Sequence, residues 1–197
     1  MNPLNTRTGV VVGGVILSII ISVLVTGHLS FMPAQFGRWL HIASGVMWIG
    51  LLYYFNFVQV PAMATAAADK GGPGGAGISK YVAPVALLFF RWAALLTWLS
   101  GAYYLHKTYG TDGFVNAFLL QQPMLVIGLG AWMGTIMLFN VWVLIWPNQK
   151  KILGIVSATD EQKASARKIA FLASRTNTLL SIPMLMCMTA QIHGLPF

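Results

Sequence analysis

The feature that most constrains this chain is a set of five long apolar runs, at about 9–27, 39–60, 84–106, 124–146 and 170–192. A helix rises 1.5 Å per residue, so about 20 residues are needed to cross the roughly 30 Å hydrocarbon layer of a bilayer. Each run meets that length. Lipid offers no partner for backbone N–H and C=O groups, so a spanning segment is either a helix or part of a closed barrel. Barrel strands are short and alternate in polarity, whereas these runs are continuously apolar. Of the 197 residues, 57% are hydrophobic and only 8% charged, too few polar groups to coat a soluble globule. The expected fold is all-α: a polytopic integral membrane bundle of five transmembrane helices, forming one domain over 1–197.

Twelve Lys and Arg against four Asp and Glu give a net charge of +8. The cations sit between the apolar runs rather than in a basic stripe with interleaved aromatics, which argues against nucleic acid. Topology accounts for them better. With five crossings, Arg7, Lys70, Lys80, Lys150, Lys151, Lys163, Arg167 and Lys168 share one face, and only Arg38 and Lys107 lie on the other. Such a bias marks the first face as cytoplasmic. The amino terminus is therefore expected inside, the carboxyl terminus outside, and the connections 61–83 and 147–169 in the cytoplasm of a bacterial inner membrane. The first run is long for a signal peptide and no small-x-small cleavage site follows it, so it reads as an uncleaved helix. Cys187 is the single cysteine, which excludes an internal disulfide and a cysteine-rich metal site.

Local signals refine the picture. GGPGGAG at 71–77 lacks the preceding strand and closing Lys-Ser/Thr of a phosphate loop, so it reads as a flexible connector. Thr159 followed by Gln162 forms a capping box, predicting a surface helix that runs into the fifth span. Pro183 is expected to kink or loosen that span. Residues 110–122 carry Phe114, Phe118, Leu119 and Leu120 and suit a short amphipathic piece along the interface.

Two groups of polar residues lie within or beside the spans. His28, His41, His106 and His193 all fall at the outer ends of helices. Antiparallel helices bring such positions to one depth, as two imidazoles need if they are to hold one haem iron. Histidines also collect at helix ends simply to stay near water. His41 stands out within RWLHIASGVMWIG, whose small residues Ala43, Ser44, Gly45 and Gly50 admit either a flat macrocycle or a neighbouring helix. His41 and His193 are the candidate iron ligands, with His106 a further cofactor-binding candidate. Toward the cytoplasmic leaflet lie Asn56, Gln59, Arg91, Asn140, Arg175, Asn177 and Thr178. Arg91 and Arg175 either snorkel to the interface or face inward to hold an anionic or carbonyl-rich planar ligand, with the amides as further partners. Arg91 and His106 are fifteen residues apart, hence about 22 Å along one helix axis, so the two groups form separate sites. Met184, Met186 and Met188 suit soft metals, but alternate spacing spreads them around the helix, which favours packing.

RWLHIASGVMWIGLLYYFNF, FFRWAALLTWLSG, GAWMGTIMLFNVWVLIWPNQK and ASRTNTLLSIPMLMCMTAQIH together resemble the membrane-spanning domain of bacterial PuuD-type urate hydroxylases, in order across the second to fifth spans. The resemblance implies an integral membrane oxidase acting on urate, with electrons received by a cytochrome c domain. It points to His41, Arg91, Asn140, Trp146, Gln149, Arg175, Asn177 and His193 as functional positions. The resemblance, read over 1–197, leads to the expectation of a short member without the cytochrome domain. Where the family pattern carries Lys-Trp-Glu, it reads Arg91-Trp92-Ala93, and GGPGGAG replaces a His-Gly-rich motif. Both departures bear on urate chemistry more than on the fold.

The reading that follows is a membrane oxidoreductase that binds haem b through His41 and His193 and passes electrons toward a periplasmic cytochrome c. Arg91, Asn140, Arg175 and Asn177 would be its catalytic groups, positioning a urate-like or quinone-like donor. The alternative is a non-catalytic accessory subunit of a larger respiratory or photosynthetic membrane complex. A third reading is a transporter for a planar anion.

Overall fold

The computed structural model describes residues 2–197. Among them there is no strand, and five helices are long and apolar enough to cross a membrane. They are α1 (Arg7–Thr26), α2 (Pro33–Ala68), α3 (Ile78–Phe118), α4 (Leu125–Ile152) and α5 (Asp160–His193). A short 3₁₀ turn, Pro3–Asn5, precedes α1.

Helices α2 to α5 extend several residues beyond their apolar runs, whereas α1 nearly coincides with its own. α2 continues to Ala68 and α3 restarts at Ile78, so the expected 61–83 connection narrows to 69–77. The 147–169 connection likewise narrows to 153–159. Apolarity tracks the thickness of lipid, whereas helical backbone continues into water wherever local hydrogen bonds and caps sustain it. At 159 the cap is the expected one: Thr159 Oγ1 accepts from the Gln162 N–H at 3.3 Å, and the Gln162 side chain accepts from the Thr159 N–H at 2.9 Å. The α5 helix runs without interruption through Pro183. Residues 110–118 are helical, set off from the rest of α3 by Gly110, whose φ of +73° turns the chain where a side chain would be strained.

α2 packs along α3, α3 along α4, α4 along α5, and α5 returns to α2, closing a four-helix bundle. Its core holds Trp48, Leu52, Phe55, Phe90, Ala94, Met137, Val141 and Ile145. Small residues at the contacts, Ala86, Ala93, Ala94 and Ala173 among them, let the helices approach closely, as membrane bundles require. No residue of α1 is buried. The outward faces carry a dense coat of large apolar side chains, including Ile42, Val46, Leu99, Ile136, Leu179 and Ile182. Water would penalise such a surface at roughly 25 cal/mol per Å², and acyl chains would not.

Three π-helical turns interrupt the α-helical ladder, at Tyr54–Gln59, Ile78–Val82 and Asn140–Ile145. The first and third place Asn56 and Asn140 inside the bundle, where both are buried. Each such turn rotates the residues beyond it relative to a regular α-helix, so the parts of α2 and α4 that follow these turns present faces that a 3.6-residue period does not predict.

Candidate functional site: a histidine-lined cavity at one end of the bundle

His41 sits in the third turn of α2, against α3. Its Nδ1 lies 2.7 Å from the backbone carbonyl oxygen of Thr97. A carbonyl only accepts, so Nδ1 donates its proton there, and Nε2 is the ring nitrogen left without a hydrogen-bond partner. The contact exists because residue 101, one turn beyond Thr97, is glycine: a Cβ there would come within 2.7 Å of both Cε1 and Nδ1 of His41. Thr97 turns its own hydroxyl back to the Ala93 carbonyl at 2.7 Å. The Thr97 carbonyl oxygen also accepts from the Ser100 hydroxyl at 3.1 Å, so His41 shares this acceptor.

The ring borders a cavity of about 870 Å³ between α2, α3, α4 and α5. His193, at the end of α5, borders the same cavity, as do Arg38, Tyr104, Met184 and Met188. Gly45, Gly50, Gly101 and Gly134 keep parts of its wall flat. Gln191 fixes the end of α5 that carries His193: its Oε1 accepts from the Ile127 N–H at 3.2 Å, and its Nε2 donates to the Pro123 carbonyl at 3.1 Å. The Ile127 N–H is one of the donors at the α4 start that lack a helical acceptor.

His106 is exposed and does not line the cavity. His28 is exposed in the turn after α1, with Nδ1 2.9 Å from the Thr26 carbonyl oxygen. Met184 and Met188, one turn apart, both face the cavity, and Met186 does not. Among the described residues no group of three or more His, Cys, Asp or Glu is placed to hold a bare metal ion. A haem needs less from the protein, since its iron takes one or two axial side chains from His or Met.

The second predicted group forms a hydrogen-bonded polar layer in the other half of the bundle. Asn140 Nδ2 donates to Asn177 Oδ1 at 2.8 Å, and Asn177 Nδ2 donates to the Met137 carbonyl at 3.0 Å. Asn177 is 0% exposed. Asn56 donates to the Leu52 carbonyl at 2.9 Å and to Ser174 Oγ at 2.8 Å, and Tyr53 Oη lies 3.0 Å from Ser181 Oγ. The Arg91 guanidinium stacks 3.8 Å from the centre of the Trp146 ring. Arg175 lies 5.2 Å from the Phe171 ring centre. None of Arg91, Asn140, Arg175 and Asn177 lines the large cavity. The two groups are separate in the structure, as helix rise requires.

The family model for Urate oxidase N-terminal matches residues 114–197. This is the family type that the sequence motifs resemble. The matched segment begins near the end of α3 and takes in α4 and α5, and so includes Asn140, Trp146, Gln149, Arg175, Asn177 and His193 of the urate oxidase-like motifs. His41, Arg91 and His106 precede it. No curated protein and no solved structure matches the chain.

Sequence reasoning did not single out Thr97, Gly101 or Gln191, and counted Arg38 only as a charge outside the bilayer. One signal was available for three of them. Thr97 and Gly101 are four residues apart and Arg38 and His41 three apart, so each pair shares a helix face.

Proposed function

We propose that the chain is an integral membrane redox protein, related to the urate hydroxylases, that binds a b-type haem in the cavity beside His41 and passes electrons toward a periplasmic cytochrome c. The observation that carries this reading is the fixed His41 ring: Nδ1–H anchored on the Thr97 carbonyl, which leaves Nε2 as the nitrogen to ligate, beside a large cavity that His193 also borders. A backbone carbonyl on the far nitrogen is the arrangement that orients a ligating imidazole and raises its basicity. The size suits a cofactor as well, since small-molecule sites fall at about 300–1,000 Å³.

Bound there, haem b would supply a one-electron iron couple. The protein's part is to hold it: His41 on one helix, His193 or Met188 from α5 on another, and the glycines as flat walls. The orientation inferred from the cations puts this end of the bundle on the periplasmic face, where a cytochrome c would meet it. In the other leaflet Arg91 and Arg175, with Asn140 and Asn177, would receive a planar, carbonyl-rich donor. The test is a reduced-minus-oxidised visible spectrum of protein purified after expression with added iron. A b-type α-band supports the reading, and a featureless spectrum ends it.

One observation favours the alternative of an accessory subunit. The α1 helix buries none of its residues against the bundle, which leaves a whole apolar helix free for other chains. Purification of the chain within a defined larger complex, with no pigment of its own, would decide for that reading.

A further inference from the structure

The large cavity is chemically lopsided. Its deep part is lined by Ile49, Gly134 and Met184, which are apolar, and by Trp48, whose buried indole N–H has no protein partner. Its other end is reached from the start of α2 and the ends of α3 and α5, and gathers Arg38, Tyr104, Tyr109, Gln191 and His193. Arg38 is the only lining residue with a permanent charge. It stands three residues before His41, hence about 4.5 Å nearer the helix start, and it is exposed, so it occupies the mouth rather than the interior. Among the described residues the one ion pair joins Lys163 to Asp160, and no carboxylate neutralises Arg38. An arginine fork with no acidic partner, at the polar end of a cavity whose other end is mostly apolar, matches a carboxylate on the edge of an amphipathic ligand.

We propose that Arg38 is a binding residue for a carboxylate of the ligand in this cavity, so that the ligand lies with its acidic edge at the mouth and its apolar body against Ile49, Gly134 and Met184. The proposal rests on the haem reading above, because haem b is a flat apolar macrocycle carrying two propionates on one edge. It adds an orientation and a recognition residue that iron ligation does not specify. Exposure sets the expected size: water competes for the guanidinium, so the pair is worth roughly tenfold in affinity, about 1.4 kcal/mol.

The test compares two probes on the full-length protein stripped of porphyrin and held in detergent or nanodiscs: haem, and its dimethyl ester, which lacks the charges but keeps the iron and ring. Soret titration should give wild type a roughly tenfold preference for haem. Arg38→Gln should bring the two affinities together while leaving ester binding unchanged, and Arg38→Lys should restore part of the preference. Equal binding of both probes by wild type, or a preference surviving in Arg38→Gln, overturns the role of Arg38 and leaves the haem reading standing. If neither probe gives a Soret shift that His41→Ala abolishes, the haem reading fails and this proposal with it. Circular dichroism of each variant separates loss of recognition from loss of fold.

Discussion

Gly101→Ala tests the anchoring of His41 without touching the imidazole. An added Cβ would lie 2.7 Å from both Cε1 and Nδ1 of His41, whereas relaxed contacts between carbons sit at about 3.5–4.0 Å. The ring must therefore withdraw by roughly 1 Å. Nδ1 now sits 2.7 Å from its acceptor, and that displacement carries it past the usual hydrogen-bond limit of about 3.2 Å. Overpacking of this kind costs about 1–3 kcal/mol, and losing the hydrogen bond adds about 1 kcal/mol. Opposing both is the gain of about 1 kcal/mol from replacing glycine by alanine in a helix. The net expectation is destabilisation by about 1–3 kcal/mol. Gly50→Ala is the internal control: it lines the same cavity, nothing lies within 4 Å of its added Cβ, and it should gain stability. Denaturant unfolding in detergent, followed by circular dichroism, measures both. If Gly101→Ala stabilises as much as Gly50→Ala, the close approach of His41 to α3 is wrong.

Other residues give further expectations. Asn177→Leu should destabilise more than Asn140→Leu, because Asn177 both accepts from Asn140 and donates to the Met137 carbonyl; a double-mutant cycle should return a coupling of about 0.6–1.7 kcal/mol, the range for polar contacts in membrane bundles. Trp146→Leu should cost about 0.5–2 kcal/mol through loss of the Arg91 stack, and Arg91→Gln in the same background should then cost little more. Thr159→Ala should weaken the start of α5 by about 0.5–2 kcal/mol, seen as faster amide exchange over 160–165 with the bundle core unchanged.

Much of the architecture was legible because lipid makes simple demands. A run such as 124–146 has no polar period to interpret, and its length alone marks a spanning helix. The ends of the helices were less legible. Residues 61–68 are small enough to read as connection, yet they stay helical, since hydropathy marks where lipid ends and not where backbone hydrogen bonding ends; at 160–169 the capping box of Thr159 and Gln162 marked the helix that hydropathy does not. The π-helical turns at Asn56 and Asn140 were hidden altogether, because their register depends on packing between helices rather than on local composition.

The candidate site divides in the same way. His41 could be singled out from the small residues around it, and placing His193 at the same end followed from counting crossings. His106 satisfied the same depth argument, but it is exposed, because depth fixes a level along the bundle and says nothing about which way a side chain faces. Thr97 was invisible as a partner, since its contribution is a backbone carbonyl that any residue carries. Gly101 matters only through the 2.7 Å approach of a ring from another helix, a contact no spacing rule encodes.

The most direct test of the central claim is a pyridine haemochrome assay of haem b per chain in purified wild type, His41→Ala and Gln191→Ala, each matched for folded content by circular dichroism. The account predicts close to one haem per wild-type chain, none retained by His41→Ala, and a reduced, more easily stripped complement in Gln191→Ala, whose loss frees the end of α5. Wild type without haem, or His41→Ala retaining the full complement with an unchanged spectrum, would contradict it.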